Sequence, residues 1–153
     1  MRRSLTALAL SPLVLAPLGV SPPAGAAAAQ HFTITEALDF QNDSYTFTAT
    51  GPLCPSGTFE DDVTKTTGFQ SQKHVVLFID TVYTCDDGSG TFTMHKHVDF
   101  WFSKEGLPSN GPVKLTGGTG DYEGLAGHGH DVGSRPNDED HGVGLITGKV
   151  VHP

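Results

Sequence analysis

The chain has 153 residues, with 17 Asp and Glu against 9 Lys and Arg and a formal charge of −8. That balance counts against a nucleic-acid partner, whose phosphates need clustered cations, and against an anionic membrane surface for the same reason. Past Arg2-Arg3 no segment gathers Lys and Arg.

The N-terminus reads as an export signal. Arg2 and Arg3 precede an apolar stretch, Leu5 to Val20, interrupted by Pro12 and Pro17, and the small residues Ala24 to Ala29 follow. Basic, apolar, then small is the order that a translocon and a signal peptidase require. A membrane anchor would need about 20 uninterrupted apolar residues. Residues 1–29 are therefore expected to be a secretory signal peptide, cleaved between Ala26 and Gln30, and residues 30–153 one secreted domain. Loss of Arg2 and Arg3 takes the formal charge from −8 to −10. Cys54 and Cys85, both in the exported part, are expected to form a disulfide.

Beyond residue 30 no apolar spacing of the helical kind persists, whereas period-two segments recur. Phe32, Ile34, Leu38 and Phe40 alternate with polar neighbours; Tyr45, Phe47 and Ala49 do the same. Gly57 to Val63 is a weaker strand. His74 to Cys85 is apolar on both faces, as expected of a strand covered on two sides. Asp86 to Gly90 is a turn. Thr91 to Phe102 is the clearest strand, with Phe92, Met94, Val98, Phe100 and Phe102 on one face and Thr91, Thr93, His95, His97, Asp99 and Trp101 on the other. Gly106 to Gly111 reads as a turn before Val113–Thr116, Ser134 to His141 as an acidic loop, and Val143 to His152 as the last strand. Seven or eight short strands make an all-β sandwich or barrel.

The stretch from Gly111 to Gly129 is the most specific. A phosphate loop would need a helix behind it and a Lys within it; the glycines that follow exclude the helix. The physical reading is a tight strand–turn–strand corner. With Gly117, Gly118, Thr119, Gly120, Tyr122, Gly124 and Gly127 in place, the segment resembles the allene oxide cyclase and dirigent-like barrels over about 20 residues. The resemblance implies an eight-stranded antiparallel barrel with an apolar-lined cavity, in a family whose members often assemble as homotrimers. In the plant cyclases a first-strand carboxylate faces that cavity, and Glu36, between Ile34 and Leu38, holds a matching place. The dirigent arginines have no counterpart, since Arg135 is the only Arg past Arg3.

Two readings of Glu36 stand. It is an interior acid, costly unless paired or neutral, or its strand lies at an edge or bulge and leaves it in water. As a ligand-contacting acid it would tolerate Glu36→Gln without loss of thermal stability. His95, His97 and Asp99 on one strand, with His128, His130 and Asp131 beyond the glycine motif, are the residues that a zinc or copper ion would use; the alternative is the solvated face of an amphipathic strand, with no metal. Asp86, Asp87 and Asp138-Glu139-Asp140 have no calcium-loop spacing, and no Gly-x-Ser-x-Gly elbow is present.

The expected function is binding of a small apolar ligand in the barrel, with or without its isomerisation or cyclisation. Glu36 is the candidate polar group, Phe92, Met94, Val98, Phe100 and Tyr122 form the candidate wall, and no cofactor is called for. The competing expectations are a non-catalytic secreted protein that displays loops, and a metal-dependent enzyme built on the histidines.

Overall fold

The computed structural model describes residues 28–68, 73–137 and 139–151. Of the expected signal peptide, residues 1–27 lie outside the described residues. The rest is an eight-stranded meander: β1 (Gln30–Asp39), β2 (Ser44–Thr50), β3 (Ser56–Thr67), β4 (His74–Cys85), β5 (Gly90–Trp101), β6 (Gly106–Gly120), β7 (Ala126–Pro136) and β8 (His141–Val151). Each strand pairs antiparallel with the next, and β1 pairs with β8 from Gln30↔Val150 to Asp39↔His141, which closes the barrel. Closure leaves no strand at a sheet edge along its whole length, although β3 meets β2 only over Ser56–Thr58 and runs on to Thr67 against β4 alone. Among the described residues no helix is long and apolar enough to cross a membrane.

The period-two segments are the strands, with four corrections. Gly106 to Gly111 is the first part of β6 rather than a turn, and Ser134 to Pro136 belongs to β7. The β4 strand is not covered on both faces: Val82 is 42 % exposed, while the outward Phe78 is roofed by the His97 ring at 4.4 Å and the Lys65 ammonium at 5.3 Å. The Gly57–Val63 strand runs on to Thr67, with a bulge between Val63 and Lys65.

The glycine segment is the corner that close packing demands. Asp121 to Gly124 turns between β6 and β7, with Gly120 at φ 62°. A Cβ on Gly118 would lie 1.8 Å from the Thr91 carbonyl oxygen, so a side chain there would push β5 and β6 apart. Cys54 and Cys85 form the disulfide, with Cα atoms 5.9 Å apart, pinning the β2–β3 loop to the end of β4.

The barrel is filled at one end only. Tyr83 and Phe92 stack at 4.6 Å, Phe47 meets both edge-on, and Tyr122 meets Phe92 at 5.4 Å. Phe32, Ile34, Met94, Leu115, Ile146 and Val150 complete this packed end. Glycines on inward positions make room: a Cβ on Gly57 would meet the Phe47 ring at 2.7 Å, and one on Gly148 the Phe32 ring at 2.7 Å.

Candidate functional site

Inward positions fall into layers as the strands climb away from the packed end. On β1 the order is Phe32 and Ile34, then Glu36, then Leu38; on β5 it is Phe92 and Met94, then Lys96, then Val98 and Phe100. Aromatic and aliphatic side chains thus give way to a charged layer, and beyond that layer the barrel opens. The charged layer takes one residue from each odd strand: Glu36, Asp61, Lys96 and Asp131.

Glu36 is 4 % exposed and Lys96 also 4 %. Lys96 Nζ donates to Glu36 Oε1 at 2.5 Å, and the Tyr83 hydroxyl donates to the same oxygen. Glu36 is therefore interior and paired, not bulged into water. Gly144 allows this, since a Cβ there would lie 2.7 Å from Glu36 Oε2. Asp61 Oδ1 lies 4.0 Å from Lys96 Nζ and accepts from Thr81 Oγ1 at 2.6 Å. The Lys96 ammonium also sits 5.4 Å from the Phe59 ring centroid and 5.6 Å from that of Tyr83, over faces that attract a cation.

These surroundings set the protonation states. Burial works to neutralise Lys96, but Glu36, Asp61 and Asp131 outweigh it and hold its pKa above the ordinary value. Burial, and next the Glu36 charge, push the Tyr83 phenol well above 10, so it stays a donor. Asp131 differs. It is 6 % exposed, its Oδ1 has no hydrogen-bond partner, and burial raises its pKa to about 6 against the pull of Lys96, with Glu36 and Asp61 adding to the rise.

Above the charged layer is an open-mouthed cavity of about 850 Å³, within the range of small-molecule sites. Glu36, Asp61, Lys96 and Asp131 form part of its floor; Leu38, Tyr45, Phe59, Leu77, Ile79 and Phe100 form apolar wall. Of the wall residues expected from sequence, Val98 and Phe100 line this space. Phe92, Met94 and Tyr122 belong to the packed end instead, because the cavity begins only above Lys96. Phe102 lies past the end of β5 and is 49 % exposed.

The histidine clusters are on the outside and do not meet. His95 Nδ1 is 2.5 Å from Asp80, His97 stacks on Phe78, and Asp99 is 2.7 Å from His74 Nε2. Along the row of paired strands, Lys114 stands between His95 and His128, so a cation separates the two groups. Among the described residues no group of three or more His, Cys, Asp or Glu is placed to hold a metal ion. Trp101 is 38 % exposed, with its ring 5.4 Å from that of His74.

Sequence reasoning missed Lys96, and it grouped Asp131 with His128 and His130 as metal ligands, whereas on β7 Asp131 is buried on the inner face and both histidines are exposed on the outer one. Lys96 had a signal: it is the one charged residue among the even-numbered positions from Phe92 to Phe102, and a Lys on an apolar face needs a carboxylate. The interior placement of Asp131 had none, since its inward neighbours on β7, Gly129 and Gly133, carry no hydropathy. No protein-family model, no curated protein and no solved structure matches the chain.

Proposed function

We propose that this protein is a secreted binding barrel of the allene oxide cyclase and dirigent-like kind, which takes a small, largely apolar ligand into its open end. The observation that carries the reading is the cavity: about 850 Å³ of space, apolar walls, and a few convergent polar groups at the floor. The glycine corner from Gly117 to Gly127 supports the family, and the Cys54–Cys85 disulfide supports an oxidising destination. Self-association belongs to the same reading. It is supported by outward Val132, Val143 and Leu145, which are 52 %, 58 % and 47 % exposed, with Val132 and Leu145 paired across β7 and β8.

An isomerising or cyclising activity would draw on Asp131 rather than Glu36. Glu36 is already committed to Lys96 and Tyr83, whereas a carboxyl with a pKa of about 6 exchanges protons readily near neutrality.

The test is titration with a neutral fluorophore, N-phenylnaphthylamine, on wild type and on Leu77→Trp, which fills the cavity from β4. Saturable enhancement in wild type, lost in the variant with its melting curve intact, is the expected result. No saturable signal in wild type would end the proposal. Native mass spectrometry of protein recovered from culture medium reports signal cleavage, oligomer size and any retained organic mass in one spectrum.

A further inference from the structure

We propose that the ligand carries a positive charge: the cavity takes an amine on an apolar body, with its ammonium group docked on the Asp131 carboxylate. This rests on the binding-barrel reading and names the ligand class for that site.

The charges around the cavity are one-sided. Five carboxylates line it, Glu36, Asp43, Glu60, Asp61 and Asp131, against two cations. Neither cation is free to receive an anion. Lys96 is held by Glu36 at 2.5 Å and by Asp61 at 4.0 Å, under the faces of Phe59 and Tyr83. Arg135 lies 4.2 Å over the Phe40 ring and 3.9 Å from Asp140. An acidic ligand would enter a field with an excess of three negative charges, with neutral hydroxyls such as those of Ser109 and Ser134 as the remaining donors.

Asp131 is the counterpart that such a ligand lacks within the protein. The residue is more than nine-tenths buried, it lines the cavity, and its Oδ1 accepts no hydrogen bond. A buried acceptor without a partner costs free energy in the empty protein, and an arriving N–H donor relieves that cost. Phe40, Tyr45, Phe59 and Phe100 line the same space, and aromatic faces attract ammonium groups as well as hydrocarbon. A neutral apolar ligand would use the walls but leave Asp131 unsatisfied.

The groups that face Asp131 also fix how binding must vary with pH. Glu36 from β1, Asp61 from β3 and Lys96 from β5 are the charges around it; β6 and β8 present Gly111, Ser109, Gly144 and Ile146. Burial and the two carboxylates favour the protonated form and Lys96 the ionised one, with the balance near pH 6. An ammonium ligand selects the ionised form, so its affinity falls as pH drops through that region, by about tenfold between roughly pH 7.5 and pH 5.

Three dansyl probes that share one body decide the matter by fluorescence titration of the disulfide-bonded protein. They are dansylcadaverine (cationic), N-pentyl dansylamide (neutral) and dansyl aminohexanoate (anionic). The expected result is a preference of about tenfold or more for dansylcadaverine. Asp131→Asn should abolish that preference, bringing the affinities of the cationic and neutral probes to within about twofold of each other. Neutral or anionic probe binding as tightly as the cationic one, or a cationic preference that survives Asp131→Asn, overturns the amine assignment and leaves the binding barrel standing. Failure of all three probes to bind overturns both. The wild-type pH series puts the same question without a variant: dansylcadaverine affinity that is flat from pH 7.5 to pH 5 removes Asp131 as its partner.

Discussion

Replacing Asp131 by Asn should stabilise the empty barrel at neutral pH and do nothing for it in acid. An Asp carboxyl ordinarily titrates at 3.8, and in the folded protein that of Asp131 does so at about 6. Because the folded-state value stands above the unfolded one, ionisation is paid for by the fold. The penalty is absent below 3.8, grows as pH rises between the two values, and is complete above 6. A difference of about two pH units at about 1.4 kcal/mol each amounts to about 3 kcal/mol. In a domain of this size that is roughly 10 °C in Tm. Urea unfolding of wild type and Asp131→Asn, followed by far-UV circular dichroism at a series of pH values, measures it. The difference between the two unfolding free energies should grow in favour of the variant from about pH 4 to pH 7.5 by most of that 3 kcal/mol. A difference that does not change with pH would refute the reasoning, as would a variant less stable than wild type only at neutral pH. Either outcome would mean that the ionised carboxylate is satisfied in the folded state.

Further expectations concern the layer beneath. Glu36→Gln should lower stability by about 3 kcal/mol, because it leaves the Lys96 ammonium, 4 % exposed, without its closest anion; the paired location thus reverses the stability-neutral outcome expected from sequence. Adding Lys96→Met to Glu36→Gln should recover most of that loss in the same urea assay, and no recovery would mean that the pair is not the cause. Gly144→Val should cost roughly 1–3 kcal/mol, since its side chain meets a Glu36 carboxylate locked by Tyr83 and Lys96. Cys54→Ala with Cys85→Ala should lower stability by about 3 kcal/mol by freeing the unfolded chain; thermal melts with and without reductant provide the check. His95→Ala with His97→Ala should lower stability by no more than about 1 kcal/mol, since His95 loses an exposed partner in Asp80 and His97 uncovers the outward Phe78 ring, and elemental analysis before and after the substitution tests whether they hold metal.

How much of this was legible in the chain differs residue by residue. Alternation at Phe32–Phe40 and Phe92–Phe102 gave the strands, because a period of two is imposed by the pleat itself. Cys54 and Cys85 were a pair by count. The glycine corner was marked by residues that only a close backbone approach or a positive φ requires. Where the boundaries slipped, at Gly106 to Gly111 and Ser134 to Pro136, turn-forming residues occur inside strands because the two segments pair with each other, from Gly106↔Pro136 to Pro108↔Ser134.

The sequence alone determined that the chain alternates, that one face of β5 is apolar, and that Glu36 is out of keeping with its neighbours. It did not determine which face is the inside, since an alternating strand reads the same from either side of a sheet. Closure through β1 and β8 settled that, and with it the fate of the charges. Lys96 meets Glu36 across 60 positions of sequence, so each looks like an error of patterning until the barrel brings them together. Asp131 acquires its character only in three dimensions. Burial raises its pKa, the glycines around it leave space, and the packed aromatic end stops one layer short of it, so that an ordinary aspartate becomes the unpartnered carboxyl of a cavity.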